Sequence, residues 1–370
     1  MAEIKVLVVE DSLVFRNLLV SYINRVPELK VVAEANDPYE ARDMIIKHNP
    51  DVMTLDIELP RMDGIEFLSK LMPQYPVRTV VISALSDRVF DALNVGAVDF
   101  VAKPISTDRQ GLNEFLTHEL PEKILAASRA KLWGSPVGKR LPQEKQIDGR
   151  VQEILYKKEA QDGAETDIVI AIGASTGGTE ATASIIESLV PPIPPIVITQ
   201  HMPEGFTKMY ADRMHHKSHQ GITVEEASQN AKLLPNHVYI APGGNRHMTV
   251  TKKGGEYRIS LKEGEKVNGH KPSVEVLFDS MAQVVGNRGI GIILTGMGGD
   301  GAKGLLHMRQ RGARTIGQDE STCVVYGMPK VAYELGAVES QEKLGEIPQK
   351  LYYYIEQQKK QNKKDKAETN

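Results

Sequence analysis

A single cysteine, Cys323, stands in 370 residues, which excludes a disulfide framework and any metal site built on thiolates. Its setting, Cys323-Val-Val-Tyr326, marks a buried core thiol and not a nucleophile. Charge of one sign is also lacking. The 45 Lys and Arg nearly balance the 48 Asp and Glu, and a net charge of −3 leaves no electrostatic footprint for nucleic acid. No apolar run approaches the roughly 18 residues of a membrane span. Met1-Ala-Glu-Ile-Lys5 lacks the apolar core of a secretory signal, so a cytoplasmic protein without direct membrane insertion is expected. Solenoid-type repeats are absent too. What remains, 41% hydrophobic and 25% charged, is an ordinary globular composition at a length that suggests two domains.

The most informative residue present is Ser175. It lies in Gly173-Ala-Ser-Thr-Gly-Gly178, directly after the apolar run Asp167-Ile-Val-Ile-Ala-Ile172 and before the helical pattern from Thr179 to Ile186. A β-branched run, then glycines, then a helix reads as strand, tight turn, helix, with a hydroxyl held beside free helix N–H groups. An acyl-transfer nucleophile belongs in such a place, and Gly173-x-Ser175-x-Gly177 fits the nucleophile-elbow spelling. A phosphate-binding P-loop is excluded by the missing Lys, and a dinucleotide fingerprint by Gly-Ala-Ser. A second strand, Pro195 to Thr199, runs into His201; a third, Gly289 to Thr295, runs into Gly296-Met-Gly-Gly-Asp-Gly301. In an open α/β sheet the ligand crevice lies outside the carboxyl ends of the strands, so Ser175, His201 and Asp300 can converge there, although singly they also read as a capping Ser, a satisfied polar His and a turn Asp. Their chain order differs from the Ser, Asp, His order of α/β-hydrolases, which argues against that superfold but not against the chemistry.

The first half carries a second constellation. Ile4 to Val9 runs into Glu10-Asp11, Val52 to Leu55 into Asp56, Thr79 to Ile82 into Ser83, and Asp99 to Ala102 into Lys103-Pro104. Helical patterns alternate with these strands, from Leu13 to Asn24 and from Tyr39 to Lys47, so a doubly wound parallel sheet is expected. Three carboxylates at one sheet edge suit Mg²⁺ with room for a phosphoryl group, whose oxygens Lys103 and Ser83 can hold. His215, His216 and His219 lack carboxylate or thiolate partners at ligand spacing and read as a wet helix end.

These pieces carry a resemblance. Residues 1–125, with Glu10-Asp11, Asp56, Pro60-Arg-Met-Asp-Gly64, Ser83-Ala84 and Gly96 to Pro104, resemble a response-regulator receiver domain of flavodoxin-like fold. Residues 166–350 are similar to the Rossmann-like methylesterase domain of the chemotaxis protein-glutamate methylesterases. The matching stretches are Gly173 to Gly178, Gln200-His-Met-Pro203, Tyr239 to Gly244, His270-Lys-Pro-Ser273, Gly296 to Gly301 and Tyr326-Gly-Met-Pro329.

The resemblance implies Mg²⁺ on Glu10, Asp11 and Asp56, phosphorylation of Asp56, phosphate sensing by Ser83 and Lys103, and Phe100 as switch aromatic. For the second domain it implies Ser175, His201 and Asp300 as the triad, the Met297 amide in the oxyanion hole, Thr176 orienting His201, and no cofactor. The implied function is phosphorylation-activated hydrolysis of γ-glutamyl methyl esters on methyl-accepting chemotaxis receptors, with deamidation of receptor glutamines at the same site left open. A chemotaxis histidine kinase is the implied phosphodonor, and a monomer is expected. The competing reading is a receiver-regulated small-molecule serine esterase. Residues 126–165 read as a polar linker with one or two helical turns near Gln152 to Tyr156, and 351–370 as a polar, solvated tail. A cis Lys103–Pro104 bond is expected from the receiver resemblance.

Overall fold

The computed structural model describes residues 3–84, 87–104, 109–132 and 167–369, with side chains through Gln361. From residue 133 on, the expected linker lies outside the described residues, including its helical turns near Gln152. The chain forms two compact units, each built on a parallel sheet.

The first unit holds five strands: β1 (Ile4–Val9), β2 (Leu29–Ala35), β3 (Val52–Asp56), β4 (Arg78–Ser83) and β5 (Asp99–Ala102). They lie in the order β2-β1-β3-β4-β5, all parallel, as in flavodoxin-like folds. Helices cover both faces, so the strands bury apolar residues on both sides: Leu7, Val9, Met53 and Leu55 pack on one face against Ala41, Phe67 and Leu68, and Val6 and Val8 are buried on the other. Short polar residues start the helices at the strand ends. Ser12 caps Leu13–Ile23 through Phe15 N, Asp37 caps Pro38–His48 through Tyr39 and Glu40 N, and Asp63 caps Gly64–Leu71 through Ile65 N.

In the second unit, β6 (Val169–Ala174), β7 (Ile196–Gln200), β8 (Thr223–Glu226), β9 (His237–Ile240), β12 (Gly289–Ile293), β13 (Arg314–Gln318) and β14 (Ser340–Glu342) form a seven-stranded parallel sheet. Its order is β14-β13-β12-β6-β7-β9-β8. The chain builds outward from β6 on one side and then returns to β12 on the other, so the strand order reverses beside β6. A separate hairpin, β10 (Arg246–Lys253) with β11 (Glu256–Glu263), turns at Gly254-Gly255 with both φ positive, +60° and +86°. Met248, Val250 and Ile259 of the hairpin join Leu277, Phe278 and Met281 in the core.

Two expectations are corrected here. Among the described residues the cis bonds are Pro191–Pro192 and Lys271–Pro272; Lys103–Pro104 is trans, and the Lys103 N–H donates to Ser83 O at 2.6 Å. The supposed tail is helical, Ile347–Thr369, because Leu351, Tyr354 and Ile355 give its first turns a buried stripe. Gln358 continues that stripe, donating to Asn287 O at 3.0 Å and Gly289 O at 3.1 Å.

Candidate functional site

In the second unit three adjacent central strands, β12, β6 and β7, end at the reversal point, where an open α/β sheet forms its crevice. Ala174 and Gln200 are paired residues at the ends of β6 and β7, so Ser175 and His201 leave the sheet side by side. His201 N donates to Ala174 O at 3.1 Å, and Gln200 Nε2 donates to Ser175 O at 2.9 Å, fixing both main chains. Ser175 N donates to Thr295 O at 3.0 Å, which ties the same turn to the end of β12. The approach there is close enough to demand Gly296: a Cβ would stand 2.7 Å from Ser175 Cβ. Gly296 is in turn held by Met328 N, which donates to its carbonyl at 2.8 Å.

Asp300 is 1% exposed and is ringed by donors. Oδ2 accepts from His201 Nε2 at 2.9 Å and Val274 N at 2.7 Å; Oδ1 accepts from Ser273 Oγ at 2.8 Å, Asn268 Nδ2 at 2.9 Å and Glu275 N at 3.3 Å. Burial alone pushes this carboxyl up, but the hydrogen bond and charge of His201, with the Asn268 and Ser273 bonds, overcome it and hold it well below the usual carboxylate range. An ionised Asp300 can only accept, so His201 carries its proton on Nε2. Nδ1 therefore presents a lone pair, and it is buried without a hydrogen-bond partner among the described residues. The ring is thus a base with its accepting nitrogen free, although Ser175 Oγ is not bonded to it in this arrangement.

Ser175 and Thr176 directly follow β6, His201 directly follows β7, and Met297 and Asp300 lie in the loop after β12. Thr176 is buried, its carbonyl accepting from Thr295 Oγ1 at 3.0 Å, and Met297 is half-buried in the loop between β12 and Asp300. Sequence reasoning missed the supporting shell. Asn268, Ser273 and the amides of Val274 and Glu275 come from one segment about 30 residues before Asp300 in the chain. Glu275 also accepts from Gly301 N at 3.0 Å, anchoring the start of the helix that follows Asp300; burial pushes its carboxyl up. The imidazole of His270 stacks on His201, with centroids 3.8 Å apart and planes 19° from parallel.

In the first unit Glu10 and Asp11 follow β1 and Asp56 ends β3, again where the strand order reverses. Carboxylate oxygens of Glu10, Asp11 and Asp56 lie within 4.8 Å of one another, Glu10 and Asp56 buried and Asp11 exposed. Lys103 Nζ bridges two of them, at 2.8 Å from Asp56 and 3.0 Å from Glu10, and sits 4.8 Å from the centre of the Phe15 ring. One ammonium does not compensate the cluster. Burial, with the Asp56 charge adding to it, pushes Glu10 up to about 7 despite Lys103. Burial pulls Lys103 down, but its bonds and charge contacts with Asp56 and Glu10 prevail and raise it. Hard oxygen donors short of positive charge fit a divalent cation such as Mg²⁺. Ser83 is buried at the end of β4, and Phe100 is turned inward, edge-on to Phe90 at 6.1 Å. Gly64 is required beside the cluster, since a Cβ there would collide with the Asp56 carbonyl.

Comparison with known proteins agrees with this division. Residues 170–351 match the CheB methylesterase family and residues 6–113 the response regulator receiver domain. A protein-glutamate methylesterase/protein-glutamine glutaminase of Syntrophomonas wolfei is 54% identical over 354 residues, covering 96% of this chain and 98% of that protein. A similarly named protein of Bordetella parapertussis is 46% identical over 356 residues, covering 95% and 97%. Among solved structures, the Thermotoga maritima CheB methylesterase catalytic domain is 39% identical, covering 51% of this chain and 97% of that one, with a TM-score of 0.48.

Proposed function

Since this chain belongs to the family of protein-glutamate methylesterases/protein-glutamine glutaminases that carry a receiver domain, we propose that it hydrolyses γ-glutamyl methyl esters on methyl-accepting chemotaxis receptors, under the control of phosphorylation at Asp56. The observation that carries the reading is the His201–Asp300 pair at 2.9 Å, with a buried and unpartnered Nδ1, leaving the sheet beside Ser175.

Ser175 Oγ attacks the ester carbonyl as its proton passes to His201 Nδ1. The tetrahedral oxyanion is met by main-chain N–H groups of the glycine-rich turns, that of Met297 among them. Collapse expels methoxide, which takes the proton from His201 and leaves as methanol. Water then enters, gives a proton to Nδ1 and attacks the acyl-enzyme, and the proton returns to Ser175 as glutamate is released. Asp300 stays ionised throughout, keeping the Nε2–H tautomer and stabilising the imidazolium. Thr176 helps to orient His201. With a glutamine side chain the same steps expel ammonia. The esterase step uses no cofactor.

Glu10, Asp11 and Asp56 would hold Mg²⁺, which supplies charge neutralisation for phosphoryl transfer to Asp56. Lys103 and Ser83 meet the transferred group, and Phe100 responds to their movement. The phosphodonor is a chemotaxis histidine kinase and the substrate a chemoreceptor; the protein works in the cytoplasm, as a monomer, without nucleic acid. Methanol release from methylated receptor membranes tests the reading. Ser175→Ala should lower the rate by on the order of 10⁴-fold with little change in melting temperature. Retention of more than about a tenth of the activity would sink the nucleophile assignment. Turnover of p-nitrophenyl esters without methanol release from receptors would favour a small-molecule esterase.

A further inference from the structure

The hydrogen bond from His201 Nε2 to Asp300 fixes one point of the imidazole. It does not fix the plane of the ring, because the other nitrogen, Nδ1, has no partner among the described residues. A ring tied at one atom can still rock about that bond, and the direction of the Nδ1 lone pair rocks with it. Something else must hold the plane. The His270 ring lies flat against it, at 3.8 Å and 19°. From these contacts we infer that His270 is a positioning residue for the esterase reaction, setting the plane of the His201 imidazole by stacking so that Nδ1 faces Ser175.

The segment that delivers His270 is fixed independently of His201. Val267 and His270 exchange main-chain hydrogen bonds of 3.1 and 3.0 Å around Asn268-Gly269, both at positive φ (54° and 86°). That is the tight turn an Asn-Gly pair favours, because both residues tolerate the left-handed region. On its inner side the turn sends Asn268 Nδ2 to Asp300 at 2.9 Å, so one turn addresses both members of the His–Asp pair. Lys271 Nζ donates to Gly264 O at 2.8 Å, and the buried His247 spans the base of the segment. Its Nδ1 accepts from Ser273 N at 3.1 Å, and its Nε2–H donates to Glu265 O at 2.8 Å. His270 therefore meets His201 as a fixed wall. The stack also gains when His201 takes the serine proton, since a cation is attracted to an aromatic face.

This inference rests on the esterase reading above, and the test separates the two. Full-length protein is treated with a fluorophosphonate, which reports nucleophile activation without receptor recognition, and methanol release from methylated receptor membranes is resolved into kcat and KM. Failure of the unaltered chain to be labelled at Ser175 would overturn both the reading and the inference. With labelling established, His270→Ala should slow inactivation and kcat together by about 10- to 100-fold, the scale on which a small misplacement of a reacting group acts, with KM unchanged. His270→Phe, which keeps a flat ring, should recover to within about threefold of the unaltered rate, and His270→Asn, polar but without a ring, should stay slow. His270→Ala at the unaltered rate overturns the inference alone. His270→Phe as slow as His270→Asn, both melting normally, also overturns it, by showing that a ring nitrogen and not the ring face is needed. Should His270→Ala not fold, the Phe and Asn pair decides.

Discussion

Replacing Asp300 by Asn changes the shape of the site very little and its proton arrangement completely. Asp300 offers two oxygens to five donors: His201 Nε2, Val274 N, Ser273 Oγ, Asn268 Nδ2 and Glu275 N. An amide has one accepting oxygen. If that oxygen keeps the three donors now on Oδ1, its NH₂ group must face His201 Nε2 and Val274 N. The imidazole then relieves the donor–donor clash by moving its proton to Nδ1, the atom that must accept from Ser175, and the base is lost without any change in position. Loss of the correct tautomer costs about 10⁴-fold in kcat where a triad works this way, or about 5.5 kcal/mol in the barrier. Val274 N has no tautomer to change and stays unsatisfied. Together with the lost charge-assisted bonds, this should reduce stability by about 2–5 kcal/mol.

The pH dependence of stability distinguishes this from simple damage. Asp300 is held below its unfolded value, so its contribution is complete above the unfolded carboxylate range and disappears as pH falls through the folded value. Denaturant melts should therefore show the gap between Asp300→Asn and the unaltered chain at its full width at pH 7 and starting to narrow by about pH 3, where most unfolded Asp is protonated while the folded Asp300 is still ionised. Methanol release and fluorophosphonate labelling measure the catalytic part. A variant retaining more than about a tenth of kcat, or losing activity through KM alone, would refute the role of the Nε2 bond.

Three further outcomes concern the first unit. Asp56→Asn should retain basal methanol release but lose its rise on addition of a small phosphodonor; an undiminished rise would place the phosphoryl group elsewhere. Glu10 is held at about 7, so protons compete with Mg²⁺ for the cluster. Titration calorimetry should show the dissociation constant rising about tenfold per pH unit below that value, and a pH-independent constant between pH 5 and 7 would exclude Glu10 as a ligand. A carboxyl raised above its unfolded value also costs stability as pH rises from the unfolded to the folded value, so without cation the receiver should weaken between about pH 4.5 and 7 and recover on adding Mg²⁺.

Strand-end placement was legible because parallel strands are announced by short β-branched runs and their ends by a change to glycine or carboxylate. Ser175, His201, Asp300, Glu10, Asp11, Asp56 and Lys103 were all found at such junctions. Of the segment 267–275 only His270-Lys-Pro-Ser273 stood out in the sequence, and the segment's service to Asp300 depends on packing between remote parts of the chain. Of its signals only Asn268-Gly269 is local, and it predicts a turn without saying what the turn touches. The C-terminal helix was a different kind of miss. Leu351, Tyr354 and Ile355 at helical spacing were visible, and the Lys-rich residues after them drew the reading toward a tail. The trans Lys103–Pro104 bond shows the limit of analogy, since Lys103 reaches Asp56 at 2.8 Å without the expected isomer.

Both sites gather carboxylates at the reversal point of a parallel sheet, and the donor count makes them opposites. Asp300 is given five donors, its charge is answered, and it is held ionised beside His201. Around Glu10 and Asp56 the only ammonium among the described residues is Lys103, and it is shared between them, so the cluster stays short of positive charge and Glu10 holds its proton up to about 7. A cluster in that condition would be completed by a divalent cation from solution, whose charge would also favour a phosphoryl group beside it. Moving one donor from the first kind of site to the second would exchange their properties: an added cationic side chain beside Glu10 should lower its proton affinity and weaken Mg²⁺ binding together, because both effects answer the same unsatisfied charge.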